Sequence, residues 1–134
     1  MRRHETLQPL SRDHHQTLKL ARQLQRAGCD AGTRAALEAH RPELLTHFAA
    51  EEALCEQALA RCPDDATLAE QVKRMHREHR EIMELVGRLL KDPYPEASVC
   101  HALGEWLIAH VRFEERGLFN RLQDGCLKDE EISQ

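Results

Sequence analysis

Residues 77–89, REHREIMELVGRL, lie over residues 12–24, RDHHQTLKLARQL, without a gap. The overlay sets His79 on His14, Met83 on Leu18, Leu85 on Leu20, Val86 on Ala21 and Leu89 on Leu24. A second matched pair follows the two copies at similar distances, HFAAEE at 47–52 and HVRFEE at 110–115. The chain therefore reads as two copies of one helical hairpin, each with a histidine on its first helix and an H-x-x-x-E on its second.

Glycine and proline punctuate the chain at GCDAG (28–32), CPDD (62–65) and DPYPE (92–96). Three breaks leave four segments with apolar residues at helical spacing, predicting helices over about 11–27, 33–61, 65–91 and 95–122. Ser11 is expected to cap the first, Asp64 or Asp65 the third, and Pro95 to sit in the first turn of the fourth. Pro42 must either kink the second helix or divide a lead-in helix from it. Short connections between four helices predict an all-α fold, an up-down-up-down antiparallel four-helix bundle in a single domain. The tail from Gly125 to Gln134 is expected to fray.

Composition agrees with that class and excludes others. The 134 residues are 31% charged and only 4% aromatic, with 19 basic and 23 acidic side chains scattered along the chain, giving a formal charge of −4. No basic face recommends nucleic acid or an anionic membrane. No signal sequence or apolar span of about 18 residues is present, so a cytoplasmic location is expected. The five cysteines, Cys29, Cys55, Cys62, Cys100 and Cys126, are odd in number and form no C-x-x-C, which predicts reduced thiols rather than a disulfide framework or zinc knuckle.

The nine histidines are the unusual feature. In an antiparallel bundle, facing residues lie equidistant from their turn. The midpoint of His14 and His47 falls in GCDAG, that of His47 and His79 at Pro63, and that of His79 and His110 in DPYPE, so four helices deliver one histidine each to a common layer. At about 100° per residue, Glu51 and Glu114 lie one turn from His47 and His110 and roughly 40° around, on the same face. Glu52 and Glu115 are turned about 140° away, toward solvent or a supporting position. Imidazoles and carboxylates inside a bundle are costly to bury unless they bind metal or pair fully. Four histidines and two carboxylates exceed the needs of one catalytic zinc and suit two metals sharing bridging carboxylates, with iron the first choice. A ferritin-like bundle would instead show E-x-x-H, and no histidine here has a glutamate three residues before it.

In that order, LSRDHHQTL (10–18), HFAAEE, REHREI (77–82) and HVRFEE resemble the hemerythrin-like, or HHE cation-binding, family across nearly the whole chain. The resemblance implies a four-helix bundle around two irons with an oxo or hydroxo bridge, with His14, His47, Glu51, His79, His110 and Glu114 as ligands and the carboxylates bridging. Oxygen carriers of the family have two third-helix histidines at i and i+4; here His76 and His79 stand at i and i+3. His76, about 60° around, is a candidate fifth histidine. The family's last carboxylate lies five residues after its histidine, the position of Glu115, which is held in reserve behind Glu114. His15, about 100° from His14, is a further reserve at the rim. His4, His40 and His101 are assigned to the surface or to local hydrogen bonds, and Phe48, Trp106 and Phe113 to packing around the site.

The resulting expectation is a protein that binds, senses or reacts with O2, NO or peroxide, ahead of a dedicated enzyme. Iron storage or donation, or repair of iron–sulfur clusters, is the alternative. A helical bundle with vestigial or zinc-filled ligands is the third class.

Overall fold

The computed structural model describes residues 2–127. Helices α1 (Gln8–Ala27), α2 (Ala31–Arg61), α3 (Ala66–Lys91) and α4 (Ala97–Phe113) form an all-α four-helix bundle. In it α1 packs on α2 and α4, and α3 packs on the same two helices. A π turn, Glu114–Leu118, continues α4 into the short α5 (Phe119–Asp124).

The helix ends depart from expectation where local chemistry offers an alternative. Helix α1 starts at Gln8 with Pro9 in its first turn and no side-chain cap at Leu7. Ser11 is inside the helix, its hydroxyl donating to Glu115 instead of capping. Asp30 caps α2 by accepting from Thr33 N–H at 2.7 Å, and Asp65 caps α3 by accepting from Leu68 N–H at 3.0 Å. Pro42 does not divide α2, which runs unbroken through it. Pro95 lies outside α4, whose N-cap is Glu96. At the far end α4 is interrupted by the π turn, in which Phe119 N–H reaches back five residues to the Glu114 carbonyl. The expected fraying from Gly125 does not hold at Cys126 and Leu127, which are buried; positions 128–134 lie outside the described residues.

Two apolar clusters fill the bundle. Leu10, Cys55, Leu68, Val72, Met75, Leu118 and Leu122 pack together at one end, and Leu24, Leu37, Leu44, Ile82, Val86, Leu103 and Leu107 at the other. Along every helix the histidine layer falls between them, so polar groups occupy the middle of an otherwise apolar core. Near the second cluster α4 meets α1 closely at Gly104, where an added Cβ would come within 2.6 Å of the Ala21 carbonyl oxygen.

The reduced-thiol expectation is corrected. Cys29 is bonded to Cys100 and Cys62 to Cys126, leaving Cys55 as the buried free thiol. Cysteine parity and the absence of C-x-x-C say nothing about partners 71 and 64 residues apart that the bundle brings together. Among the described residues no helix is long and apolar enough to cross a membrane.

Candidate metal centre

Six side chains converge in the central layer, each no more than 5% exposed: His14, His47, Glu51, His79, His110 and Glu114. They form two overlapping sets of donors, His14–His47–Glu51–Glu114 and His79–His110–Glu51–Glu114, with the ligand atoms in each set within 4.8 Å of one another. The histidines belong to one set each, whereas both carboxylates are shared. Glu51 presents Oε2 to Nε2 of His14 and His47, at 3.4 and 3.1 Å, and Oε1 to Nε2 of His79 at 3.1 Å. Glu114 presents Oε1 to Nε2 of His14 and His110, at 2.9 and 3.2 Å, and Oε2 to Nε2 of His79 at 3.3 Å.

The opposite nitrogen of every ring is held by a second carboxylate. Nδ1 of His14 lies 2.6 Å from Glu115, that of His47 3.0 Å from Asp13, that of His79 2.9 Å from Glu52 and that of His110 2.8 Å from Glu78. These pairs respect the internal repeat. Asp13 precedes His14 and orients His47, just as Glu78 precedes His79 and orients His110. Glu51 and Glu52 bracket the two nitrogens of His79, just as Glu114 and Glu115 bracket those of His14. This explains the doubled glutamates: the first faces the centre, and the second fixes the ring across the bundle. A carboxylate on Nδ1 sets the tautomer and directs Nε2 inward.

Aromatic rings complete the walls. Phe48 stacks on His79 with centroids 3.7 Å apart, and Phe119 stacks on His14 at 5.5 Å. Phe113 lies 6.4 Å from His110. Phe119 was not singled out in the sequence, because the π turn shifts the helical phase that would have pointed to it.

Electrostatics show what the cavity asks for. Burial works against a charge on His14, but Glu114, Glu115 and Glu51 outweigh it and raise its pKa to about 11. The same contest raises His79 to about 10, through Glu114 and Glu51. His47 and His110 are also pushed up against burial, chiefly by Glu51 and by Glu114 respectively. Burial would lift Glu114, yet His110, His14 and His79 hold it well below the usual carboxylate range. Even so, Nε2 of His47, Nε2 of His110 and both oxygens of Glu51 are buried with close ionic neighbours but no contact of hydrogen-bond geometry. Buried polar atoms seldom stay unpaired, and a cation in each donor set would satisfy all of them. The chemistry of each donor set fits a metal ion.

The remaining histidines are placed elsewhere. His76 does not reach the centre: its Nδ1 lies 3.1 Å from Glu52 and its Nε2 3.1 Å from Glu56, on the outer face of α2. Its i+3 offset gives it to those carboxylates, and it touches the site only through Glu52. Glu115 supports His14 from outside and also accepts from Arg3 and Ser11. His15 is exposed. His40 bonds Thr17 and Glu43, and His101 lies beside the Gln25 carbonyl and Glu105. His4 is buried rather than on the surface; its backbone N–H donates to Gln123 and its Nδ1 accepts from Thr6 N–H. Asp13 and Glu78 were missed as site residues, although the aligned RDH and REH of the repeat carry the signal.

The family model for the hemerythrin HHE cation-binding domain matches residues 5–122. Comparison with curated proteins and with solved structures found no match.

Proposed function

We propose that this chain, which belongs to the hemerythrin HHE cation-binding domain family, holds two iron ions and uses them to bind or react with O2, NO or a peroxide. The observation that carries this reading is the sharing of Glu51 and Glu114 between two histidine pairs. Each ion would be held by His14 and His47, or by His79 and His110, with the two carboxylates bridging them. Such a pair of ions supplies redox chemistry and open coordination positions for a small ligand. Four histidines rather than five would leave one further coordination position open across the pair, which favours reactivity over reversible carriage.

The chain's own residues define how the site works. Asp13, Glu52, Glu78 and Glu115 fix the ring planes, so the Nε2 atoms are organised before a metal arrives. Phe48, Phe113 and Phe119 narrow the water-accessible space around the rings. A groove of about 520 Å³ between α1 and α2, lined in part by Asp13, Thr17, His40, Leu44 and His47, supports entry of small molecules on the His47 side.

Metal analysis of protein reconstituted with ferrous iron tests the proposal. Two irons per chain, with a charge-transfer band at the edge of the visible spectrum, are expected; stoichiometric zinc or no retained metal would sink it. Mixing the diferrous protein with O2 in stopped flow then separates a reversible adduct from rapid irreversible oxidation. Iron donation, the second reading, predicts loss of iron to an apo acceptor without an added chelator. A cytoplasmic location belongs to the same proposal, and it must accommodate two disulfides, which are rare in the cytosol and persist in oxidising compartments. Alkylation of thiols in freshly lysed cells decides between the two settings.

A further inference from the structure

A second groove, about 820 Å³, lies between α3 and the end of α4, on the face backed by Glu78 and His110. Lys73, Arg74, Arg77, Arg112 and Arg116 line it, against one acid, Glu70. That is a local excess of positive charge on a chain whose formal charge is −4. Arg74 is engaged: it donates to Glu78 at 2.7 Å and lies 4.1 Å over the Phe113 ring. The other four side chains are exposed and make no ion pair among the described residues. Lys73 and Arg77 stand at i and i+4 on α3, Arg112 on α4 and Arg116 in the π turn that follows it, and all four line the groove.

The groove wall adds two groups that a simple phosphate would not use. Phe113 offers a half-buried ring, and Gln71 has a buried Oε1 with no hydrogen-bond partner. An acceptor and an aromatic ring between rows of cations match a polypeptide, whose N–H donates, whose apolar side chain covers the ring and whose carboxylates meet the guanidinium groups. The groove also contacts the metal centre from behind, through Arg74–Glu78–His110 and through Phe113 beside His110. The corresponding groove at Asp13 and His47 carries acids and is open, since Asp13 is 58% exposed against 3% for Glu78.

We propose that the groove between α3 and α4 docks an acidic electron-carrier protein, which delivers electrons to the centre past Phe113 and His110. The carrier's role rests on the di-iron reading, whereas the docking does not. One electron leaves a reduced carrier and converts one ferric ion to ferrous, the carrier being oxidised.

The test uses an acidic [2Fe–2S] ferredoxin as the probe. Calorimetric titration of the metal-free chain at low ionic strength is expected to show saturable binding. Arg77→Glu with Arg112→Glu should weaken it at least about tenfold, as should raised salt, while Lys19→Glu with Arg22→Glu on α1 leaves it unchanged. In iron-loaded protein the groove variant should slow reduction by ferredoxin about tenfold and leave reduction by dithionite unaltered. Binding equally weakened by both variants, or tighter binding of inorganic triphosphate or duplex DNA than of ferredoxin, would overturn the docking site. Groove-dependent binding without faster reduction would overturn electron delivery alone. Failure to load iron would remove the di-iron reading and leave the calorimetric result standing.

Discussion

Glu78 Oε1 lies 2.8 Å from Nδ1 of His110, and both side chains are almost wholly buried, at 3% and 2% exposure. Burial would raise the Glu78 pKa, but His110 and Arg74 together hold it below its ordinary value. The carboxylate is thus ionised where it can fix the imidazole, on the one side of the layer where water does not compete. Glu78→Gln is expected to keep the fold and weaken iron binding by about 10–100-fold, measured by competition with a chelator. Unchanged affinity would show that the pairing does not orient His110.

Shared and unshared donors give different stoichiometries. His47→Ala removes a donor from one set and should leave about one iron per chain, whereas Glu51→Ala removes a bridging donor from both and should leave essentially none. Elemental analysis separates the two, and equal losses would contradict the shared-carboxylate arrangement.

His76→Ala is expected to change neither iron content nor the iron spectrum, because His76 binds Glu52 and Glu56 rather than facing the centre. Loss of one iron would return His76 to the ligand set.

The metal-free protein has a definite pH dependence. His14 and His79 are raised to about 11 and about 10 from 6.5, so their stabilising effect is complete below about pH 6.5 and lost as pH rises through 10 to 11. Glu114 is lowered from 4.5, so its effect is complete above about pH 4.5 and lost as pH falls through its depressed value. The urea midpoint of stripped protein should therefore be highest between about pH 4.5 and 6.5 and decline toward pH 10. Iron affinity should move the other way, because the histidines must release protons to bind. A midpoint that rises steadily to pH 10 would refute the assignment.

Gly104→Ala should destabilise the bundle by about 1–3 kcal/mol, since the Cβ would meet the Ala21 carbonyl and force α1 and α4 apart. Thermal melting of the variant checks this, and an unchanged melting temperature would mean the helices can part without cost.

The four-helix order and the convergence of His14, His47, Glu51, His79, His110 and Glu114 were legible because helical period and internal repeat carry three-dimensional information along one dimension. The supporting carboxylates were less so. Asp13 and Glu78 look like solvated neighbours of their histidines until the helix across the bundle is placed, since each orients a ring on another element. The disulfides and the π turn escaped for a related reason. Cys29 and Cys100 meet only in the fold, and EERGL has nothing in its local sequence that announces a five-residue hydrogen bond.

Both disulfides join the first copy of the hairpin to the second, Cys29 to Cys100 and Cys62 to Cys126. Each copy contributes its own two imidazoles to one donor set and shares its carboxylate with both sets. The chain is thus arranged as a dimer written in tandem, with the two shared carboxylates at its subunit interface. Neither half can assemble a complete site alone, and two covalent staples keep the halves in register before any ion arrives.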